Sequence, residues 1–147
     1  LFRSKWPSYE GYHTIFNLRL NCFEEIENKN KAYTNENVLA FTLKDGRNVI
    51  GLFAFNSIDW NNKNVNNMTI RVHPKYCNKG IGRKVITKLC GLLFYNGINK
   101  IRLDVHSMNK MAEKCYLNCG FETVNIIKRD NEDYFIMEKR LTTASTG

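Results

Sequence analysis

The 147-residue sequence has few of the features that mark membrane, secreted or metal-binding proteins. No apolar run approaches the roughly 18 residues of a membrane-spanning helix, and no N-terminal stretch is typical of a secretory signal. Its five cysteines form no Cys-x-x-Cys pair and have no histidine at zinc-finger spacing. Cys115 and Cys119 share a helix face, which fits core packing as well as redox chemistry. An odd number of cysteines without a targeting signal predicts reduced thiols, a cytoplasmic location and no metal site.

Acidic residues are also scarce, since 14 Asp and Glu stand against 22 Lys and Arg and leave a net charge of +8. Such an excess is compatible with a nucleic-acid partner. The basic residues are spread along the chain, however, and a solvated lysine-rich surface accounts for them more simply. We therefore expect neither nucleic acid nor a membrane as a partner.

Repeats, linkers and shifts of composition are missing too, so we expect one domain over residues 1–141. A start at Leu1 suggests a trimmed N-terminus. Residues 142–147 are small and polar, as in a flexible tail.

Hydrophobic periodicity predicts a mixture of helices and strands. Apolar residues at three- and four-residue steps predict a helix over residues 9–28. Two β-rich runs, 38–43 and 48–58, flank an Asp-Gly turn at Lys44 to Arg47, which is a strong hairpin signal. Consecutive apolar residues from Leu52 to Phe55 predict that the second of these strands is buried on both faces.

The second half of the chain predicts a strand–helix–strand unit followed by a helix and a hairpin. Because one helix bridges two strands of one sheet, that unit should be parallel with a right-handed crossover. The expected fold is an α/β domain with a mixed sheet. Its elements are expected over residues 68–72 (strand), 83–95 (helix, closed by Gly97), 101–106 (strand), 109–118 (helix), 121–128 and 134–141 (strands).

The loop Val72 to Arg83 carries the clearest chemical signal. It is basic, contains Gly80 and Gly82, and leads directly from a strand into a helix. Such a helix start presents free backbone N–H groups and a positive dipole end to an anion. The loop therefore predicts a phosphate-binding site.

Two common phosphate-binding loops do not fit this segment. A Walker A loop needs a Lys-Ser/Thr pair after its glycines, which is missing. A dinucleotide fingerprint needs a third glycine where Val85 stands. Asp104 lies about twenty residues further on, as a ribose-binding acid would, but within its strand rather than at the strand end.

The loop is similar to that of the GNAT superfamily of acetyl-CoA-dependent N-acetyltransferases, which follows Gln/Arg-x-x-Gly-x-Gly/Ala after a strand often ending in Val-x-Pro. Val72-His73-Pro74 matches the strand end, and Cys77 to Gly82 matches the loop, with Cys77 in place of the usual Gln or Arg. A second family pattern follows downstream, and the resemblance covers residues 66–141. That pattern reads Asn109-x-x-Ala112-x-x-x-Tyr116-x-x-x-Gly120-Phe121.

The resemblance implies a GNAT-like domain with helices on both faces of a mixed central sheet and acetyl-CoA as co-substrate. Pantetheine would lie beside the strand like an added strand, and a backbone N–H near Val72 would polarise the thioester carbonyl. Asn109 would contact the cofactor arm, although helix N-capping suits it equally. The implied cofactor-binding residues are Ile70, Arg71, Val72, Asn78, Lys79, Gly80, Ile81, Gly82, Arg83, Asn109 and Tyr116.

The same resemblance implies direct attack of a neutral amine on acetyl-CoA in a ternary complex. Tyr116 matches the residue that protonates the departing CoA thiolate, and its alternative role is packing against the sheet. Met68 to Arg71 lacks the Glu or Asp base that many relatives place there. The candidate bases are His73 and His106, and Tyr116 or ordered water are alternatives.

We expect an N-acetyltransferase that acts on a primary amine, of a small molecule or a protein, as a monomer or homodimer. Two alternatives remain open. One is a non-catalytic acyl-CoA-binding regulatory module on the same scaffold. The other, suggested by the net charge of +8, is a tRNA-directed acetyltransferase. The resemblance places the acceptor between residues 6–28 and the turn 129–134.

Overall fold

The computed structural model of the chain describes residues 14–19, 22–25, 37–76 and 79–142. Within those ranges the backbone forms eight strands, two α-helices and a short 3-10 turn at Pro74–Tyr76. The elements are β1 (Thr14–Asn17), β2 (Cys22–Glu25), β3 (Leu39–Asp45), β4 (Asn48–Asp59), β5 (Asn64–Val72), α1 (Ile81–Tyr95), β6 (Lys100–His106), α2 (Lys110–Asn118), β7 (Glu122–Arg129) and β8 (Glu132–Arg140).

The described strands form one mixed sheet in the order β2-β1-β3-β4-β5-β6-β8-β7. β1 runs parallel to β3, and β5 runs parallel to β6, whereas the other neighbouring pairs are antiparallel. The expected α/β fold with a mixed sheet and a parallel β5–α1–β6 unit is therefore confirmed. No described helix is both long and apolar enough to cross a membrane.

The helix expected over residues 9–28 is wrong where the structure describes that segment. β1 and β2 occupy it, and β1 also pairs with β3. Phe16 and Leu18, two residues apart, are both buried, and the buried Asn17 amide bonds the backbone N–H and carbonyl of Gly46 at 3.1 and 3.0 Å. Pairing with β3 outweighs the local helical spacing, because strand preference depends on the neighbouring strands.

The hairpin of β3 and β4 forms as expected, and Ile50 to Phe55 of β4 are all buried, which confirms cover on both faces. Gly51 lies where β4 and β5 approach closely, since a Cβ there would stand 2.4 Å from the backbone oxygen of Arg71. A side chain at this position would push the two central strands apart.

α1 packs one face on the sheet, as its periodicity predicts, and begins two residues earlier than expected. Its buried residues are Val85, Ile86, Leu89, Cys90 and Leu93. α2 meets α1 where a Cβ on Gly82 would contact the sulfur of Cys115 at 3.4 Å, so both helices lie on the same face. The opposite face carries no described helix, and the helices expected on both faces stay a prediction.

Candidate active site

A gap opens in the sheet between β5 and β6. The two strands pair only at Asn64 with Lys100 and at Val65 with Ile101. β5 nevertheless continues beside β4 as far as Val72, while β6 continues beside β8. In the described part of the chain, residues 66–71 of β5 therefore have no strand paired with them on the β6 side. An extended ligand can pair with such a strand edge.

The N-terminus of α1 lies at the carboxyl end of this gap. Gly80, the residue before the helix, has a left-handed backbone with φ 73° and provides no side-chain cap. The first bond into the helix runs from the Lys84 N–H to the Gly80 carbonyl at 3.1 Å. The N–H groups of Ile81, Gly82 and Arg83 have no acceptor among the described residues, as expected of a helix N-terminus. No acidic side chain lies in the first turn, so these donors can bind an anion.

The rim of this cradle is positively charged and open. Lys79 and Arg83 are exposed, and the Lys79 ammonium lies 6.0 Å from the centre of the Tyr76 ring. Around Gly80, a Cβ would meet no atom of the described residues within 4 Å, which leaves room for a ligand oxygen. Asn78, which the sequence also places in the cradle, lies outside the described residues.

Tyr116 of α2 is 9% exposed and packs beside Phe121, with ring centres 5.9 Å apart. Its hydroxyl makes no hydrogen bond with the described residues. Burial, together with the nearby thiols of Cys115 and Cys119, raises the pKa of Tyr116 to about 12. The phenol therefore stays protonated at neutral pH and is suited to donate a hydrogen bond rather than to act as a base.

Asn109 caps α2. Its side-chain oxygen accepts a hydrogen bond from the Ala112 N–H at 3.2 Å, and its own N–H donates to the His106 carbonyl at 2.9 Å. Capping leaves the carboxamide nitrogen available as a donor. The structure thus supports the capping role, and contact with a cofactor arm stays a prediction.

His73 follows β5 and organises the turn toward α1. Its Nδ1 accepts a hydrogen bond from the Lys75 N–H at 3.1 Å, and its N–H donates to the Ile50 carbonyl at 2.7 Å. The ring also meets Tyr76 edge-on at 6.3 Å. These contacts hold the imidazole in a local structural role.

His106 ends β6 on the other side of the gap. Its Nδ1 accepts from the Met108 N–H at 3.0 Å, its Nε2 lies 3.1 Å from the Glu132 carboxylate, and its ring meets Tyr134 at 5.1 Å. When Nδ1 accepts and Nε2–H donates, the neutral ring has no lone pair left for a substrate proton. Both histidines thus lie near the carboxyl end of the gap, and each already uses Nδ1 for a backbone N–H.

Sequence reasoning placed Cys115 on a helix face but missed its position beside the cradle. The Cys115 sulfur lies 3.4 Å from the position that a Cβ on Gly82 would take, which places α2 beside the first turn of α1. The spacing of Cys115 and Cys119 was the available signal, but only tertiary packing shows what the pair faces.

Comparison with known proteins gives one family. The model of the acetyltransferase (GNAT) family matches residues 2–121. Among curated proteins, thialysine N-epsilon-acetyltransferase of Bos taurus is 34% identical over 70 residues, which are 48% of this chain and 41% of the relative. The Mus musculus enzyme is 36% identical over the same shares. The matched segment thus spans less than half the length of these relatives.

Solved structures have the same fold. A spermidine N-acetyltransferase from Vibrio cholerae in complex with CoA and spermine superposes with a TM-score of 0.64 at 23% identity, over 71% of this chain and 66% of that one. The microcin C7 self-immunity acetyltransferase in complex with acetyl-CoA and AMP gives 0.66 at 24% identity, over 73% and 63%.

Proposed function

The chain belongs to the acetyltransferase (GNAT) family, and from this premise we propose that it transfers the acetyl group of acetyl-CoA to a primary amine. The observation that carries the proposal is the parting of β5 from β6 directly in front of a helix N-terminus with uncapped donors. An extended thioester arm ending in a pyrophosphate has the shape and charge for this arrangement.

Acetyl-CoA would bind in two parts. The pyrophosphate would accept hydrogen bonds from the N–H groups of Ile81, Gly82 and Arg83, with charge from Lys79 and Arg83. A contact with Asn78 stays a prediction from the sequence. Pantetheine would lie along Ile70 to Val72 in the gap, as an added strand. The exposed Arg71 side chain is not needed for this pairing, because the contacts are made by the backbone.

The chemical step would be attack by the amine nitrogen on the thioester carbonyl, whose oxygen would be polarised by a backbone N–H near Val72. When the C–S bond breaks, the leaving thiolate has an ordinary pKa of about 8.5. Tyr116, with its pKa raised to about 12, would stabilise that thiolate by hydrogen bonding. Its proton is too tightly held for complete transfer to be favourable.

The proton of the amine leaves by a route that we infer to include water. His73 and His106 stand at the mouth of the gap and stay candidate bases, but each would have to give up the backbone hydrogen bond that its Nδ1 accepts. Ordered water avoids that cost. His106 would then hold the Glu132 carboxylate at the mouth of the gap. That carboxylate would add negative charge there.

A cationic primary amine, free or on a protein, is the substrate class that we propose. The similar proteins are named for thialysine and spermidine, which both carry such amines. The second candidate is a non-catalytic acyl-CoA-binding module. It is favoured by one observation: Met68 to Arg71 offers no carboxylate base, and both histidines are already engaged. The cytoplasmic location and a monomeric or homodimeric state stay predictions.

Two measurements test this function. Acetyl-CoA at about 100 times its Kd should raise the melting temperature by about 5 to 10 °C. If millimolar acetyl-CoA leaves the melting temperature unchanged, the cofactor assignment is wrong. Release of CoA thiol with spermidine, thialysine and a peptide amine then separates enzyme from module. A thermal shift without thiol release from any amine would favour the module.

A further inference from the structure

An open cavity of about 610 Å³ lies at the end of the sheet opposite to the N-terminus of α1, where β4 turns into β5. From this cavity to the cradle, β5 covers about 20 Å between Asn66 and Val72, at roughly 3.3 Å per residue. The cavity is therefore separate from the proposed acetyl-CoA site. Its polar and aromatic lining residues are Asn37, Ser57, Asp59, Trp60, Asn61 and Asn66.

The backbone beside this cavity is strained within a strand. Ser57 of β4 has φ 54°, in the left-handed region that non-glycine residues rarely adopt. The ladder of β4 and β5 continues on both sides of this position, but Ser57 and Asn66 are not paired with each other. Both residues line the cavity. Such strain persists only where the surrounding structure requires it, and it is frequent where proteins hold ligands.

Other positive φ values in the described chain have local explanations. Asp130 and Asn131 form the two-residue turn between β7 and β8, where positive φ is normal, and Lys63 lies in the turn between β4 and β5. Ser57 is the described non-glycine residue that has such a φ inside a strand. The strain is thus confined to the wall of the cavity.

Asp59 brings a fixed negative charge to the cavity. Its Oδ1 accepts a hydrogen bond from the Asn62 N–H at 3.0 Å, and its Oδ2 accepts one from the Asn62 carboxamide at 2.7 Å. The bond from the N–H, followed by that from the carboxamide, lowers the pKa of Asp59, so it is ionised at neutral pH. Each oxygen keeps a further lone pair for a ligand. Among the described residues that line the cavity none is basic, and Lys63 of the same turn is not one of them.

Trp60 lies next to this carboxylate and is 42% exposed. The face of an indole ring is the best cation–π surface that a side chain offers. Asn37 is held at the opposite wall, because its carbonyl accepts a hydrogen bond from the Ile58 N–H at 2.7 Å. The side-chain oxygens of the lining asparagines can accept hydrogen bonds from an ammonium group. The cavity therefore has the charge and the donors and acceptors for a cation, and it repels an anion.

We propose that this cavity binds small organic ammonium ions, with the charged group against the Trp60 ring and the Asp59 carboxylate. The two attractions act on the same atom of the ligand, since the residues are neighbours in the chain. The cavity is open to water, which weakens both attractions, so we expect affinity in the millimolar range. This site does not depend on the proposed function, because no acetyl-CoA is needed to fill it.

Amide NMR spectra of the isotope-labelled chain, titrated with choline chloride against matched sodium chloride, test the site. We expect saturable shifts at Ser57, Asn61, Asn66 and the Trp60 indole N–H, and none at residues 79–83. The uncharged analogue of choline in which carbon replaces nitrogen should bind at least about fivefold more weakly, because it has the same shape without the charge. Equal affinity for the two compounds, shifts confined to residues 79–83, or no saturable shift up to tens of millimolar would each overturn the proposal.

Variants separate the two attractions. Trp60→Leu should weaken choline binding by about tenfold, and Trp60→Phe should weaken it less, because a phenyl ring retains part of the cation–π attraction. Asp59→Asn keeps an oxygen for the Asn62 N–H and should weaken binding by about threefold or more at low salt and less at high salt. Asp130→Asn removes the same charge at the other end of the sheet and should bind choline normally. Unchanged binding in folded Trp60→Leu or Trp60→Phe, or equal losses in the two aspartate variants, would refute the assignment.

Discussion

Burial of Tyr116 determines what its hydroxyl can do. The ring belongs to the hydrophobic core, beside Phe121, while the hydroxyl has no partner among the described residues. A buried phenol resists ionisation because the low dielectric penalises its anion. One side chain therefore contributes packing through its ring and leaves its O–H available to a ligand sulfur.

Tyr116→Phe should lower kcat by about 100-fold, which is the usual cost of removing one hydrogen-bond donor to an anion that develops in the transition state. Acetyl-CoA affinity should not change, and the free energy of unfolding should change by less than about 1 kcal/mol, since no internal hydrogen bond is lost. Steady-state kinetics and thermal melts check this. Tyr95→Phe, at a tyrosine that is 90% exposed, is the matched control.

The raised pKa of Tyr116 also determines a pH profile. Catalysis requires the protonated phenol of Tyr116, which persists up to about pH 12. The value of kcat should therefore not fall as the pH is raised to 10. It should rise with pH as the amine loses its proton. A descending limb near pH 9 that disappears in Tyr116→Phe would contradict the raised pKa.

The variant His106→Asn distinguishes a structural role of His106 from a role as general base. An asparagine oxygen can replace Nδ1 as acceptor for the Met108 N–H, so the turn between β6 and α2 should form. We expect kcat to fall by less than about fivefold, against the 100-fold or more that loss of a general base costs. A 100-fold loss without change in the melting temperature would identify His106 as the base.

The sequence predicted some elements of the site correctly and missed others. α1, α2 and the hairpins form because apolar spacing, Asp-Gly and terminal glycines are local signals. β1 and β2 were missed because their hydrogen bonds go to each other and to β3, which apolar spacing along one segment does not encode. Asn17 illustrates this, since its amide bonds Gly46, 29 positions away.

The start of α2 is the element where two roles of one residue can be separated. Asn109→Ala should lower the free energy of unfolding by about 1 kcal/mol through loss of the cap. Asn109→Ser should restore that stability, because serine also caps, but it lacks the amide donor. If Asn109 contacts the cofactor, both variants should bind acetyl-CoA more weakly. If it only caps, Asn109→Ser should bind normally, as calorimetry can show.

At the scale of the whole molecule, the sheet holds together on one side of β5 and separates on the other. β4 stays beside β5 along its length, with Gly51 allowing the close approach to Arg71. The gap toward β6 can therefore exist without weakening the central strands. The cradle at α1 is held in place by this half of the sheet.

The same substitution at two glycines should have opposite effects on global stability. Gly51→Ala should destabilise the fold by about 2 kcal/mol or more, because its Cβ would stand 2.4 Å from a backbone oxygen that cannot yield. Gly91→Ala, on the exposed side of α1 where a Cβ would meet no described atom within 4 Å, should stabilise the fold by about 0.5 to 1 kcal/mol. Chemical denaturation of both variants measures this, and two shifts of the same sign would contradict it.

The sequence by itself determined the glycine-containing loop before α1, the two helices, the hairpins and the family, because each depends on residues close together in the chain. Only the tertiary structure decided that the pairing of β5 with β6 ends early, that residues 14–17 and 22–25 add strands, and that Cys115 lies beside the first turn of α1. Those features depend on which distant backbone groups find hydrogen-bond partners and which helix faces meet. Such pairings are settled by competition across the whole sheet rather than within one segment.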